Sequence, residues 1–540
     1  MSGDPILERV MLAFEGERLP RWVERRLADG PVAGVTLFRA FNVGSPAQVR
    51  ELAEAFQRAA AGSSTAPLLV AADQEGGQLM ALGDATTQFA GNMALGAVGD
   101  EGLTERVAAA IGREARAMGV NVMYTPTLDL ADEPGNANMG IRAFGDDPEA
   151  VALHGAATIR GLQSAGVAAT AKHFPGLGAV AQDTHHGLGV VRGDRERLLA
   201  NEFAPFRAAF AAGARLTMSA HVAVPALTGD ETLPATLSRT MMTDTVRDEL
   251  GFRGISISDA LDMRALAQGA AQAVEVIAAI RSGIDLLLGT ADRAALRRIE
   301  STLLAAAARR LFDADELEAS RARLAELRAW IAAAGPAPDL DVVGSEAHRA
   351  LSRDLAERAL TRTDRGPHGG EPAPIALPST TRILAIMPEP MDLTPADTSS
   401  AVAPGLGRAL RTRFASVDDV VVGVAPTDAE IAGLRDRAGS FDAVVVGTIE
   451  AHRQPAQAAL VRALAATGTP TIAVAMRTPW DVGVYPADLV AAICTYSILP
   501  DPLEALARAL AGEIGFAGRL PVAVNGVTPA GSERPARPVR

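Results

Sequence analysis

Short apolar runs that alternate with alanine-rich helical stretches are the feature that most constrains the fold of this 540-residue chain. Apolar runs bounded by turn residues are typical of buried strands, and the longer stretches between them are typical of helices. Alternation of strand and helix predicts a parallel sheet. In the first part of the chain, strands are predicted at 34–38, 68–72, 120–124, 167–171, 216–219, 255–258 and 284–288, and helices at 105–118, 149–165 and 196–212.

Polar residues at the ends of these strands discriminate between two parallel-sheet folds. A doubly wound sheet concentrates its site at one switch point, whereas a (β/α)8 barrel brings the C-terminal ends of all its strands together. Here polar residues follow at least five predicted strands, among them Asp73, Lys172, His221 and Asp259. This distribution favours a TIM-type (β/α)8 barrel.

A second run of alternating segments predicts a smaller parallel α/β domain at the C-terminal end. Two segments rich in Pro and Gly, 335–339 and 363–374, flank a single predicted helix, and the second is expected to be a linker or an exposed loop. We therefore expect a barrel over 1–335, a linker with one helix over 336–378 and an α/β sandwich domain over 379–540. The predicted strands of this domain are 383–387, 420–424, 443–446, 471–475 and 490–494, and the helices are 346–362 in the linker and 406–414, 428–437, 457–467 and 502–513 in the domain.

Charge and composition narrow the class of function. The net charge is −13 and the pI is near 5.2, which argues against a nucleic-acid partner. No apolar stretch reaches the ~18 residues that a membrane helix needs, and the N-terminus lacks the features of a signal peptide. We expect a cytoplasmic protein with no membrane partner. The single cysteine, Cys494, lies in an apolar run and is expected to be a buried, unreactive thiol.

Asp259 and His185 are the strongest catalytic candidates. Asp259 directly follows the predicted strand 255–258, where it either faces a pocket or caps a helix. Asp183 precedes His185 by two residues and can orient its imidazole for proton transfer near neutral pH. The adjacent His186 is the alternative to His185 in this role. Our hypothesis is that His185 and Asp259 face each other across a sugar-binding pocket.

Further polar residues are candidates for contacts with sugar hydroxyls. Asp73 begins the motif Asp-Gln-Glu-Gly-Gly, whose glycines permit close approach of the backbone. Arg142 and Lys172 are cations near acids, although Arg142 could simply pair with Asp146 or Asp147. Cations beside acids at strand ends are typical of a site that binds a polyol.

The histidines also suggest a metal-dependent hydrolase as an alternative. Several of them lie among aspartates, but adjacent histidines on one loop are poorly placed to chelate a single ion, and the first predicted strands carry no histidine. We therefore predict neither a metal nor another cofactor. The histidines concerned are His173, His185, His186 and His221.

The chain resembles glycoside hydrolase family 3, in particular its bacterial β-N-acetylglucosaminidase branch. The second half of the chain also resembles the C-terminal α/β domain of that family. The combination of motifs is specific, whereas each alone is weak. The matching motifs are Asp-Gln-Glu-Gly-Gly at 73–77, Arg-Ala-Phe-Gly at 142–145, Lys-His-Phe-Pro-Gly at 172–176, Asp-Thr-His at 183–185, Ala-His-Val at 220–222 and Ser-Asp-Ala-Leu at 258–261.

This resemblance implies a retaining exo-β-glycosidase that forms a covalent glycosyl-enzyme intermediate. Asp259 would be the nucleophile and His185 the acid/base, with Asp183 as its orienting partner. The implied substrate is a small carbohydrate ending in N-acetylglucosamine, from cell-wall fragments (peptidoglycan turnover) or chitooligosaccharides. The residues that would bind the sugar are Asp73, Arg142, Lys172, His173 and His221.

The resemblance leaves the acceptor and the subfamily open. Inorganic phosphate is an alternative acceptor to water, since a histidine that has given up its proton is neutral and repels an anion less than a carboxylate does. A β-glucosidase-type member would need a glutamic acid from the C-terminal domain, and Glu389 and Glu450 are the candidates. The protein is expected to be a monomer or a homodimer.

Four positions depart from the family pattern. Leu177 and Ala179 stand where the family usually has a histidine and an aspartate, and Gln78 and Ala81 replace two arginines. These changes affect the predicted binding residues and not the catalytic pair, so they bear on which sugar is bound. Leu177, Ala179 and Ala81 also support a further hypothesis, a sugar- or muropeptide-binding protein that has lost turnover.

Overall fold

The structure, a computed structural model, describes residues 4–62, 66–363 and 374–527. Its first part contains eight parallel strands arranged in a ring. The first strand pairs in parallel with the second and with the eighth, and a parallel bridge between Ile257 and Leu286 closes the ring. The predicted (β/α)8 barrel is confirmed. Its strands are β1 (Val10–Leu12), β2 (Gly34–Leu37), β3 (Leu69–Ala72), β4 (Val122–Met123), β5 (Ala168–Phe174), β6 (Leu216–Ser219), β7 (Ile255–Ser258) and β8 (Leu287–Leu288).

Two barrel strands differ from the sequence-based expectation. The pattern missed β1, since three apolar residues are too few to show a period. It also ended the fifth strand too early, because Lys172 and His173 lie within β5 and not after it. Both side chains are buried there, where the pattern of apolar residues gives no signal for them.

The helices that surround the barrel follow the expected alternation. The predicted helix 196–212 is in fact two helices, Arg195–Ala200 and Phe203–Ala211. Pro205 lacks an N–H and is tolerated only in a first turn, so a new helix begins just before it. The other helices of this part are Arg21–Asp29, Arg39–Asn42, Pro46–Ala60, Asn92–Val98, Glu101–Ala117, Pro148–Ser164, Pro225–Thr228, the π-helix Thr240–Glu249, Gln272–Ser282, Arg293–Ala308 and Ala314–Ala333.

Two small elements on the C-terminal side of the barrel strands shape the rim. After β3, the strands Gln74–Gly76 and Leu79–Met80 form a hairpin, here called the rim hairpin. The short 3-10 helix Gly140–Arg142 lies in the segment after β4, here called the rim turn. Both carry residues of the site described below.

The C-terminal part is built around a six-stranded sheet. Five of its strands are parallel, and one edge strand, which lies within the predicted linker, is antiparallel. The smaller α/β domain is confirmed, with this antiparallel edge as a correction to the all-parallel expectation. In spatial order the strands are β9 (Thr361–Arg362), β14 (Ala491–Cys494), β13 (Thr471–Ala475), β12 (Ala443–Thr448), β10 (Arg382–Pro388) and β11 (Ser416–Val422), and the helices are Glu346–Ala359, Leu406–Leu410, Asp428–Ala438, Pro455–Ala465 and Pro500–Leu510.

The predicted domain boundaries at 335/336 and 378/379 stay predictions. The Pro/Gly-rich linker predicted at 363–374 lies almost wholly outside the described residues. Cys494 is buried in β14, and burial raises the pKa of its thiol. Within the described ranges, no helix is long and apolar enough to cross a membrane.

Candidate active site

Lys172 and Asp73 lie together at the C-terminal end of the barrel strands. The Nζ atom of Lys172 is 2.6 Å from Asp73 Oδ1 and 2.5 Å from Glu75 Oε1. Burial alone would lower the pKa of Lys172, but the carboxylates of Asp73 and Glu75 raise it above its ordinary value. The side chain of Asp73 is 23% exposed, whereas Lys172 is almost completely buried. Asp73 is thus the member of this pair that a ligand can reach.

Arg142 joins the same cluster through Glu75. Its Nε and Nη2 donate to the two carboxylate oxygens of Glu75 at 3.0 and 2.9 Å, a bidentate arrangement. Burial opposes ionisation of Glu75, but Arg142 and Lys172 outweigh it and hold its pKa far below the ordinary value. The alternative pairing of Arg142 with Asp146 or Asp147 is wrong, since Glu75 takes this role.

His173 is oriented by a buried carboxylate that the sequence reasoning did not select. Asp129 Oδ2 lies 2.7 Å from His173 Nδ1, and the carboxylate also accepts the backbone N–H groups of His173 and Leu177. The opposite ring nitrogen, Nε2, lies 3.4 Å from Nη2 of Arg142. The fixed ring therefore links Asp129 to the cluster around Glu75. The signal that could have found Asp129 is its position in the loop that follows β4.

His185 and Asp183 form the predicted pair. Asp183 Oδ1 accepts the backbone N–H of His185 at 2.9 Å and lies 2.7 Å from its Nδ1. Burial would raise the pKa of Asp183, but these hydrogen bonds hold it below the ordinary value. With Nδ1–H committed to the carboxylate, Nε2 is the nitrogen that can exchange a proton with a ligand. His186, the alternative, is exposed.

Asp259 follows β7 and is half-buried. Its Oδ1 accepts the backbone N–H of Ala260 at 2.7 Å. The helix-capping alternative is wrong, because turns follow Asp259 and the next α-helix begins at Gln272. His221 supports this loop from below: its Nε2 lies 3.1 Å from the carbonyl oxygen of Ala260, and its Nδ1 lies 2.8 Å from Thr236 Oγ1. His221 is fully buried, and its ring contacts the loop of Asp259 through the carbonyl oxygen of Ala260.

The loop of His185 is docked against the loop of Asp259. The backbone N–H of Arg264 donates to the carbonyl oxygen of His185 at 3.3 Å, and the N–H of Ala265 donates to that of Thr184 at 3.3 Å. These bonds hold the segment that carries His185 beside the segment that follows Asp259. His185 is close enough to lower the pKa of Asp259 electrostatically.

The residues described so far form two groups on one rim of the barrel. The first is the cluster around Glu75, which includes His173, and the second is formed by the docked loops of His185 and Asp259. His173, from the first group, lowers the pKa of Asp259, from the second. Tyr124 responds to an acid of each group: burial raises the pKa of its hydroxyl, and the charges of Asp73 and Asp259 raise it further. The structure thus brings the predicted residues to the same end of the barrel. Tyr124 was missed by the sequence reasoning, although its position at the end of β4 is the same signal that selected the others.

The positions that depart from the family pattern are mostly buried. Leu177 and Ala81 are buried, and Ala81 donates its N–H to the carbonyl oxygen of Asp73. Ala179 is half-buried. Gln78 is buried and hydrogen-bonds to a loop of the C-terminal domain.

The two glutamates considered as an alternative acid belong to the C-terminal part of the chain. Glu389 is exposed at the end of β10, and Glu450 is buried beside β12 in an ion pair with Arg453. In the part of the chain that the structure describes, no group of three or more His, Cys, Asp or Glu side chains is arranged to hold a metal ion.

Comparison with known proteins places this arrangement in a family. Residues 10–327 match the model described as the glycosyl hydrolase family 3 N-terminal domain. Beta-hexosaminidase A from Pseudoalteromonas piscicida is 33% identical over 367 residues, which are 64% of this chain and 61% of that protein. A beta-hexosaminidase from Stenotrophomonas maltophilia is 35% identical over 285 residues, 52% of this chain and 82% of that protein. The chain thus spans about three fifths of the length of the first of these relatives and most of the second.

A solved structure extends the likeness to nearly the whole chain. The glycoside hydrolase family 3 β-N-acetylglucosaminidase from Paenibacillus sp. str. FPU-7 superposes with a TM-score of 0.89 and 34% sequence identity. The superposition covers 96% of this chain and 98% of that one. Because the family model matches more than half of the sequence and the neighbour matches both domains, the chain belongs to glycoside hydrolase family 3.

Proposed function

We propose that this protein is a retaining β-N-acetylhexosaminidase that releases terminal N-acetylglucosamine, with Asp259 as nucleophile and His185 as acid/base. The observation that carries the proposal is the docking of the His185–Asp183 loop against the loop of Asp259, through two backbone hydrogen bonds. The names of the relatives support the choice of sugar, since two are called beta-hexosaminidases and one is a β-N-acetylglucosaminidase.

In the first step the carboxylate of Asp259 attacks the anomeric carbon. The bond from that carbon to the leaving oxygen breaks as the bond to the carboxylate oxygen forms, and His185 gives the proton on Nε2 to the leaving oxygen. The lowered pKa of Asp259 supports this role, since a nucleophile must be ionised. Asp183 keeps the imidazole oriented by holding Nδ1.

In the second step the neutral His185 takes a proton from water, whose oxygen attacks the anomeric carbon and displaces Asp259. Two inversions give net retention of configuration. Inorganic phosphate can replace water in the same step, because the neutral imidazole does not repel it. The use of phosphate, the turnover of peptidoglycan and the cytoplasmic location stay predictions.

The remaining predicted residues would hold the sugar. Asp73 is the accessible acceptor for hydroxyl groups, and Lys172 fixes its carboxylate. Arg142 and His173 are immobilised by Glu75 and Asp129, so the binding surface is rigid before the sugar arrives. His221 acts on the loop of Asp259, through the carbonyl oxygen of Ala260.

Hydrolysis of aryl β-N-acetylglucosaminides by single-site variants tests these roles. Asp259→Ala removes the nucleophile, and we expect kcat to fall on the order of 10⁴-fold or more. His185→Ala should cost about 10²–10⁴-fold with a nitrophenyl leaving group, and less with a dinitrophenyl group, which needs no protonation to leave. The matched controls are Asp262→Ala and His186→Ala, which alter exposed neighbours in the same two loops.

The outcomes separate the alternatives. Wild-type turnover in both Asp259→Ala and His185→Ala would contradict the assignment of the catalytic pair. Saturable binding of N-acetylglucosamine without turnover, with or without phosphate, would show a sugar-binding protein instead. A glycosyl phosphate as product when phosphate is present would show phosphorolysis.

A further inference from the structure

A loop of the C-terminal domain is folded around a buried ion pair. Nη1 of Arg477 lies 2.8 Å from Asp397 Oδ2, and the side chains are 1% and 0% exposed. The same carboxylate accepts the backbone N–H groups of Leu393 at 3.2 Å and Ser399 at 2.9 Å. Buried ion pairs are a weak source of stability, since apolar side chains of similar volume often serve as well, but they fix geometry. The segment 393–399, here called the docking loop, is fixed in this way.

The docking loop is hydrogen-bonded to the rim hairpin. Thr398 donates its backbone N–H and its hydroxyl to the carbonyl oxygen of Gln78, at 2.8 and 3.0 Å. Its hydroxyl oxygen also accepts the N–H of Met80 at 3.1 Å. The side-chain amide of Gln78 donates to the carbonyl oxygen of Ala396 at 3.4 Å. Gln78 therefore bonds to the C-terminal domain with both its backbone and its side chain.

The oxygen of the same Gln78 side-chain amide contacts the rim turn. This Oε1 atom accepts the backbone N–H of Ile141 at 3.3 Å, one residue before Arg142. There is no spare room at this point, because a Cβ placed on Gly140 would lie 2.6 Å from Gln78 Oε1 and 3.7 Å from Nη2 of Arg477. The side chains of Gln78 and Arg477 thus close around the turn that carries Arg142.

In the described part of the chain, Arg477 pairs with a single carboxylate, that of Asp397. Nε and Nη2 of Arg477 are buried and have no hydrogen-bond partner among the described residues. Among the described residues, Asp397 is the carboxylate that pairs with Arg477, so a second guanidinium at position 78 would place two positive charges beside one carboxylate.

We propose that the Asp397–Arg477 pair is a positioning element for the sugar-binding residues, acting through Thr398 and Gln78 on the turn that carries Arg142. The inference rests on the proposed function, since it assigns the C-terminal domain a part in binding the sugar. It also assigns Gln78 to domain docking and not to contact with the sugar.

Steady-state kinetics of Arg477→Gln and Asp397→Asn test this role. We expect kcat/KM for an aryl β-N-acetylglucosaminide to fall about tenfold or more, mostly through KM, while kcat changes less. The control is Arg358→Ala, which breaks an ion pair that joins the two parts of the chain directly, with Asp100. Losses of equal size in Arg358→Ala would point to general loosening of the domains and overturn the proposal, as would unchanged KM in both test variants.

A double-mutant cycle at Gln78 tests for a partial recovery of kcat/KM, which simple destabilisation does not produce. Gln78→Arg places a second guanidinium beside Arg477, and we expect it to lower kcat/KM more than Gln78→Ala does. Arg477→Gln in the Gln78→Arg background should then restore part of the loss, although it is harmful alone. Additive losses in the double variant would contradict the proposal.

Amide hydrogen exchange separates this inference from the proposed function. The N–H of Ile141 is bonded to Gln78, so the peptide that spans the rim turn should exchange faster in Arg477→Gln than in wild type, whether or not the protein turns over a glycoside. Unchanged exchange in this peptide would overturn the positioning role even if the enzyme is active. Faster exchange in a protein that hydrolyses no glycoside would support the positioning role and reject the proposed activity.

Discussion

At the scale of single residues, Asp259 owes its charge state to its neighbours. Burial works to raise the pKa of its carboxyl, but His173, His221 and His185 outweigh burial and hold it below the ordinary value. The group therefore stays ionised to lower pH than an ordinary aspartate. Protonation of the proposed nucleophile should limit kcat/KM only in strongly acidic solution.

Replacing one of these neighbours should move that limit. In His221→Asn, one of the imidazoles that lower the pKa of Asp259 is lost, so that pKa rises and the acid limb of kcat/KM should shift to higher pH. The measurement is the pH dependence of kcat/KM on an aryl glycoside. His186→Asn, in the exposed neighbour of His185, is the control and should leave the limb in place. An acid limb that stays put or moves to lower pH in His221→Asn would contradict this account.

The sequence reveals carboxylates that face the pocket better than carboxylates that hold a buried cation or histidine. Asp73 and Asp259 lie where the pattern of strands predicts them. Glu75 and Asp129 were not selected, because their roles depend on partners 67 and 44 residues away in the chain. In the sequence, such a carboxylate looks like an ordinary turn residue, because the cation or histidine that it contacts is close only in the folded structure.

At the scale of elements, one buried carboxylate joins three separate segments of the barrel rim. Glu75 lies in the rim hairpin, Arg142 in the rim turn and Lys172 in β5. Its side chain is 1% exposed and is bonded to both cations. The relative positions of the three segments therefore depend on the charge of Glu75.

Removing that charge should destabilise the fold as well as the site. Glu75→Gln leaves Arg142 and Lys172 buried without the carboxylate that they share, and we expect the free energy of unfolding to fall by about 3–5 kcal/mol. Urea denaturation followed by circular dichroism measures this change. The control is Glu105→Gln, which breaks an exposed pair with Arg160 and should cost less than about 1 kcal/mol. Equal effects of the two substitutions would show that Glu75 does not join the segments.

Element boundaries were less predictable than element types. The strands of the barrel follow from apolar runs, but the extension of β5 through Lys172 and His173 does not, since both are polar. The division of the predicted helix 196–212 required the position of Pro205 to be weighed against an otherwise continuous helical pattern. In both cases tertiary context overrides the local signal.

At the scale of the whole molecule, the two domains share an apolar cluster. Phe89 and Phe144 of the barrel lie in one buried cluster with Trp480 and Tyr496 of the C-terminal domain. The motifs predict each domain separately, but they do not predict which faces meet. The contact between Gln78 and Ala396 joins residues 318 positions apart, and no local pattern signals a partner at that distance.

A second contact between the domains depends on protonation. Nδ1 of His452 lies 2.8 Å from Asp481 Oδ1, and its Nε2 lies 3.0 Å from the carbonyl oxygen of Pro134 in the barrel part. Both partners accept hydrogen bonds, so both bonds form together only when the imidazole is protonated. Burial would lower the pKa of His452, but Asp481, Glu450 and the Pro134 carbonyl raise it above its ordinary value.

The raised pKa fixes the sign of a pH effect on stability. A group whose pKa is higher in the folded state stabilises the fold fully below its unfolded pKa, about 6.5 for histidine, and loses that effect as pH rises through the folded value. His452→Gln should therefore lower the free energy of unfolding more at about pH 6 than at about pH 9. Urea denaturation of both proteins at the two pH values measures the difference, with the exposed His186→Gln as control. The protonated ring connects Pro134 to Asp481. If the difference in the free energy of unfolding between wild type and His452→Gln stays constant or grows with pH, the two domains are in contact here through a neutral histidine.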